Sequence, residues 1–409
     1  MKHDQATPSA SIDRVATRLF RLSLGVFFIG GFVASSISLL VPRLRLTLGL
    51  DYLMATSVQL ASFSSYLLFA VPVAAIVAAS GFMRAHAIGL SIMALGCVGL
   101  AAGLTMQQYP ILLVALLAVS TGATFLQIAS NTAATIVGDP RRAAIRLNVL
   151  QGFNSVGTVA GPALGATTIL SAKVATDPTG PVLPFALAAI VLALLAAAFF
   201  RRRDLLSGLP AGSLHITRSA WIATLGDRRL LAGAGAIFLY VGAEVTIGAL
   251  LTDFLMTRHA LAWPAEAAAG LVALYWAGAM AGRFAGAAVM RTVAPARVLG
   301  IAAALATLLV VASVMTSGVV AAGALLAVGV VNSIMYPTIY VLALPVRPEQ
   351  TAPGAMTLCI AVIGGAIVPM LTGALADRIG LVDALLLPAA CYLPILAFAR
   401  RYPMPRAPA

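Results

Sequence analysis

Apolar runs of about 20 residues, separated by short polar breaks, repeat along the whole chain. About 20 apolar residues in a helix are needed to cross the hydrocarbon core of a bilayer. On that measure the pattern predicts about twelve helical spans, near 22–41, 56–79, 87–106, 111–136, 148–170, 184–200, 231–255, 266–290, 297–316, 319–343, 353–375 and 381–399. A membrane β-barrel would show shorter, alternating segments instead. The longest polar stretch, 201–230, holds six arginines and separates the spans six and six. The expected layout is a tail over 1–21, a six-helix half over 22–200, a linker over 201–230, a second six-helix half over 231–399 and a tail over 400–409. Met1–Arg21 is polar and basic, and the apolar run behind it is too long for a cleaved leader, so it reads as the first span.

Composition agrees with an all-α membrane protein. Of 409 residues, 61% are hydrophobic and 10% charged, where a soluble chain carries roughly 25% charge. Mean hydropathy is +1.01. The net charge of +13 does not point to nucleic acid, because the basic residues sit in short loops between spans. With both termini inside, 20 of the 26 lysines and arginines fall on the inner side, five fall outside, and Arg283 lies within a span. That bias predicts a multi-pass protein of the cell's inner membrane with cytoplasmic termini.

A weak internal duplication fits the six-and-six division. Residues 27–40 align without gaps to 238–251, matching Phe27 with Phe238, Gly31 with Gly242 and Leu39-Leu40 with Leu250-Leu251. In the fifth and eleventh spans, Gly157, Pro162 and Leu164 repeat as Gly364, Pro369 and Leu371. Two such halves around a midplane site, rocking to expose it alternately, describe a secondary carrier.

Polar side chains inside the spans mark the candidate site, since they must face partners or a wet cavity. Gln127 and Asn131 are four residues apart, so they share a helix face. Gln151, Asn154 and Thr158 form a stripe in the fifth span, with Asn148 nearby; Asn332, Tyr336 and Tyr340 form another in the tenth. Tyr275 and Trp276 lie midway along the eighth. Amides both donate and accept, and an aromatic face can cover the C–H side of a sugar ring, so these residues suit a neutral polyhydroxylated ligand. Each amide has a plainer alternative as interhelical glue. Trp221 and Trp263 suit interface anchors.

Glu244 stands apart. The chain has three glutamates, and only this one lies deep inside a span, paired with Tyr240 one turn before it. A buried carboxylate in a membrane is a functional hypothesis, with a structural acid bonded to a neighbouring helix as the alternative. The four histidines, at 3, 86, 215 and 259, are expected in tails or loops, and Cys97, Cys359 and Cys391 fall in apolar runs. No metal-ligand set, nucleophilic triad, cofactor signature or phosphate-cradling loop appears, so neither an enzyme nor an ATP-driven pump is expected.

Several strings add a family resemblance that runs from about the first span to the last. Arg146–Gly157, RLNVLQGFNSVG, and 332–344, NSIMYPTIYVLAL, resemble signatures of the fucose:proton symporter and glucose/galactose transporter family of the major facilitator superfamily. YVGAEV at 240–245 is similar to the seventh-helix motif of the glucose/galactose branch, and GRFAGAAVMR at 282–291 to the motif in which an arginine braces the inner gate. The resemblance implies the major facilitator fold and transport of a small neutral sugar, a hexose or deoxyhexose. Gln127, Asn131, Gln151, Asn154, Tyr240, Glu244, Trp276, Asn332 and Tyr336 would bind substrate, and Arg283 would steady the gate. The chain departs from the fucose symporters at two positions: Ser38 and Gln127 stand where their first- and fourth-helix acids would be. The segment 82–89 lacks the acid of the usual loop motif, while Asp377-Arg378-Ile379-Gly380 resembles that motif at an outer helix end. Glu244 is then the coupling candidate, for a proton or for sodium, with direct substrate contact and uncoupled facilitation as alternatives. A monomer in the lipid bilayer is the expected unit. The rival readings are an efflux carrier for amphipathic compounds or other small metabolites, suited by the apolar Val33 and Met335, and a non-transporting receptor.

Overall fold

The computed structural model describes residues 8–38, 63–137, 139–168, 182–206 and 218–403. All the regular structure among them is helical, and ten helices are long and apolar enough to cross a membrane. The first half comprises α1 (Pro8–Ser38), α2 (Ala70–Ser80, continuing a helical turn at 63–68), α3 (Phe82–Met106), α4 (Tyr109–Ile136), α5 (Ala143–Thr168) and α6 (Val182–Arg201), of which all but α2 and α5 are among the ten. The second half comprises α7 (Arg228–Met256), α8 (Ala265–Val289), α9 (Pro295–Met315), α10 (Gly318–Ala343), α11 (Pro348–Ile379) and α12 (Leu381–Arg401). Outward-pointing residues such as Leu95, Leu194, Val319 and Met370 are large and apolar, as a lipid-facing surface requires.

Helix limits follow local chemistry. Asp227 caps α7, its carboxylate accepting from the backbone N–H of Arg229 at 2.8 Å and of Leu230 at 3.3 Å. Gly81 and Gly380 are each the lone residue between two helices, at φ 78° and 92°, where a side chain would be strained. The Asp377–Gly380 string is therefore a helix-end turn. α1 begins well before residue 22, because nothing in 8–21 breaks a helix; polarity ends a span but not a helix. The first part of the expected second span, 56–62, lies outside the described residues.

Several spans are interrupted, and two of the breaks bear on the site. α10 turns at Ser333–Ile334 before resuming at Met335, and Pro337 follows. A proline has no N–H for the carbonyl four residues back, here that of Ser333. α11 narrows to a 3-10 turn at Ala361–Ile363 and resumes at Gly364.

The helices pack as a duplicated unit. α1 packs on α5 as α7 does on α11; α3 packs on α4 and α6 as α9 does on α10 and α12. Glycines from the weak sequence repeat set the closest approaches. A methyl group at Gly157 would collide with the carbonyl oxygen of Phe28 on α1, and one at Gly364 with that of Phe238 on α7. Small residues of this kind let membrane helices touch backbone to backbone. Gly157→Leu is expected to abolish the folded protein, read as loss of a monodisperse peak in detergent, because both colliding atoms belong to backbones.

Between the halves, α5 meets α8 and α11 meets α2, a symmetric pair of seams, and the ends of α10 and α11 reach α5 and α4. The short helix Arg218–Thr224 lies against α11, and Trp221 donates from its indole to Thr357 Oγ1 at 3.2 Å. Trp221 is thus tied to protein instead of anchoring at a lipid interface, while Trp263 is 43% exposed, as an anchor would be.

Candidate functional site

A cavity of about 190 Å³ lies among α1, α3, α4 and α5, with residues from the turn before α2. Gln127, Ser130, Asn131, Gln151 and Asn154 supply its polar wall, and Phe27 and Tyr66 its aromatic one. A second space of about 230 Å³ shares Gly30, Ala34, Tyr66, Met93 and Ala123 with it and extends to Val33, Ile37, Phe63 and Val362 of α11. None of the residues lining either space is Asp, Glu, Lys, Arg or His.

Helical spacing accounts for the polar wall. Asn131 Nδ2 donates to Gln127 Oε1 at 2.6 Å, one turn away. Tyr336 crosses from the second half: its hydroxyl accepts from Asn131 Nδ2 at 3.1 Å and donates to Gln127 Oε1 at 3.2 Å. Asn154 Nδ2 donates to the Phe27 carbonyl at 2.9 Å, fixing α5 to α1 and leaving its oxygen uncommitted. Gln151 is buried beside it.

Further bonds join the two halves. Thr132 Oγ1 lies 2.8 Å from Tyr340 Oη, and Asn148 Nδ2 donates to Thr338 Oγ1 at 3.4 Å. Arg283 on α8 reaches across the α5 seam to Ser155 Oγ and the Gln151 carbonyl, the latter at 3.4 Å. Its Nε donates at 3.2 Å to the Ser333 carbonyl, the group that Pro337 leaves without a helical partner. The Arg283 bonds across the seam and the break in α10 are therefore one arrangement.

The remaining expected site residues lie deeper in the second half. Tyr240 and Glu244 face the interior of that half. Tyr240 Oη and one oxygen of Glu244 are buried without a hydrogen-bond partner, as are Asn332 Oδ1 and Tyr392 Oη. The positive charge of Arg283 acts on Glu244. Asn332 Nδ2 donates to Tyr275 Oη at 3.2 Å, so the break in α10 turns Asn332 into its own half while Tyr336 and Tyr340 cross to the other. Trp276 rests on Gly248, one turn along α7 from Glu244. The structure thus brings Gln127, Asn131, Gln151, Asn154 and Tyr336 together. Tyr240, Glu244, Trp276 and Asn332 are not among the residues lining the described cavity. Val33 lines only the second space; Met335 is fully buried and lines neither.

One histidine departs from expectation. His86 lies inside α3, fully buried, not in a loop. A polar ring in a helix reads from sequence as a loop residue because no neighbouring pattern announces its partners. His259 does lie between α7 and α8, its Nε2 2.9 Å from the Ser313 carbonyl. Tyr66 and Ser130 also went unmarked. Ser130 sits beside Asn131 in the string QIASN, and nothing in the spacing separates a lining serine from one bonded back to its own helix.

The duplicated helices, the polar cavity and the bonds that join the halves fit a membrane carrier of the alternating-access kind. The chain belongs to the Major Facilitator Superfamily, whose family model matches residues 22–369. It is 39% identical to a glucose/galactose transporter of Brucella abortus over 376 residues, 90% of each chain. It is 26% identical to the L-fucose-proton symporter of Escherichia coli over 408 residues, 93% of this chain and 92% of that one. Its fold superposes on the crystal structure of the superfamily transporter FucP in the outward conformation with a TM-score of 0.83, at 25% identity, covering 93% of this chain and 97% of the other.

Proposed function

We propose that the protein carries a small neutral sugar, a hexose or deoxyhexose, across the inner membrane by alternating access. The observation that carries this reading is the cavity wall: amides, hydroxyls and aromatic faces, with no charged side chain among the lining residues. Such a wall matches a ligand that both donates and accepts hydrogen bonds and bears no charge. An anionic or cationic substrate would be left without a counter-charge there. The names of the relatives, a glucose/galactose transporter and an L-fucose-proton symporter, support the same class.

In this reading both termini and the linker face the cytoplasm. The bonds of Thr132 with Tyr340, Asn148 with Thr338 and Arg283 with Ser155 then close the cytoplasmic side, and the cavity opens outward. Gln127, Asn131, Gln151 and Asn154 hold the sugar from the first half. Tyr336 is bonded to two of them, so it releases or reshapes that wall as the halves rock. Glu244 provides the coupling, with a proton or sodium as the ion, and acts on the gate through Arg283.

The test is uptake into proteoliposomes of glucose, galactose and fucose, each with and without a pH or sodium gradient. Gln127→Ala is expected to weaken sugar binding about tenfold, the loss of one or two hydrogen bonds at about 1 kcal/mol each, with the folded yield unchanged. Wild-type affinity in that variant removes Gln127 from the site. Flux of amphipathic compounds in place of sugars would favour the efflux reading.

A further inference from the structure

His86 makes contacts that fix its chemistry. Its Nδ1 lies 2.6 Å from the Phe82 carbonyl and its Nε2 2.7 Å from Ser130 Oγ on α4, and the ring stacks on Phe199 of α6 at 4.6 Å and 3°. A carbonyl only accepts, so Nδ1 carries a proton. The helices packed against α3 are α2, α4 and α6, and no Asp or Glu occurs in them or in α3 itself. A second proton would leave a buried cation with no counter-charge. The ring is neutral, Nε2 is an acceptor, and the single proton of the Ser130 hydroxyl goes to it. Ser130 is part of the cavity wall, next to Asn131, whose Oδ1 is buried without a partner.

We propose that His86 is a positioning residue that makes Ser130 a fixed acceptor in the wall, so that this corner of the cavity takes a hydroxyl donor from the ligand and disfavours a group that can only accept. The geometry selects one particular hydroxyl of a sugar. The inference rests on the sugar reading of the cavity and adds a specificity determinant to it.

The experiment measures binding of glucose and its singly deoxygenated and singly fluorinated analogues to the purified full-length chain. Fluorine cannot donate a hydrogen bond, so the fluoro and deoxy analogues at the selected position are both expected to bind the wild type about tenfold more weakly than glucose. Ser130→Ala and His86→Phe are each expected to weaken glucose binding about fivefold to tenfold. The double variant should bind no more weakly than Ser130→Ala alone, because both changes remove one interaction. In Ser130→Ala the penalty for that analogue should vanish. His86→Gln, whose amide oxygen can accept from Ser130, should recover part of the loss. Should His86→Phe fail to fold, Ser130→Ala with the analogue series and His86→Gln decide the matter. Additive losses in the double variant, or an undiminished analogue penalty in Ser130→Ala, overturn the proposal while leaving sugar transport intact. No binding of any sugar by the folded wild type overturns the transport reading and this assignment with it.

Discussion

Glu244→Gln is expected to abolish ion-driven accumulation while sparing exchange of substrate across the membrane. The change keeps the size and hydrogen-bonding capacity of the side chain but removes its ability to switch charge. Glu244 is half-buried in α7 beside Tyr240, and no ion pair holds it among the described residues. A carboxylate left in that condition is stable only if it spends part of the transport cycle neutralised by a proton or an ion. The first half offers no substitute, since none of its expected spans contains Asp or Glu. Accumulation should fall at least tenfold, to the level set by equilibration, with counterflow at near wild-type rate. A variant that still concentrates sugar against a gradient would remove Glu244 from the coupling role. Running the assay with a pH gradient alone and a sodium gradient alone names the ion.

Arg283→Ala should release the closed end. The wild-type side chain bonds Ser155 and the Gln151 carbonyl across the seam, and the Ser333 carbonyl within its own half. Hydrogen bonds to a charged group are worth about 1.5–3 kcal/mol each. Losing those that cross the seam should shift the balance between the two orientations by about 3 kcal/mol, roughly a hundredfold in their ratio. A Thr338→Cys reporter reads this shift. Thr338 is fully buried against Asn148, so a thiol there should react slowly in the Arg283 background and at least tenfold faster in Arg283→Ala. Equal reactivity in both would remove Arg283 from the gate. The charge of Arg283 also acts on Glu244, so the double variant Glu244→Gln, Arg283→Ala should be less than additive.

The fold was largely legible because a membrane leaves few solutions: apolar length gave the spans, and loop arginines their expected orientation. Gln127 and Asn131 were legible as a pair because helical spacing puts them on one face. What spacing could not supply was the break in α10. A continuous helix would align Asn332 with Tyr336 and Tyr340; the turn at Ser333–Ile334 sends them to different partners. His86 was misplaced for a similar reason, since its partners lie on α3, α4 and α6 and are joined only by tertiary packing. The absence of Glu244 from the amide wall was also invisible, because spacing gives a residue's helix and half but not which cavity its side chain lines.

Pro337 has a consequence for how this protein can be improved. An ordinary residue there would restore an N–H for the Ser333 carbonyl and mend the helix, and a proline inside a helix costs about 3 kcal/mol. The same repair would compete with Arg283 for that carbonyl. A screen for heat-resistant variants would therefore tend to enrich changes at this position that straighten α10, and those variants would survive warming better while moving sugar more slowly. Robustness and turnover meet at one missing hydrogen atom.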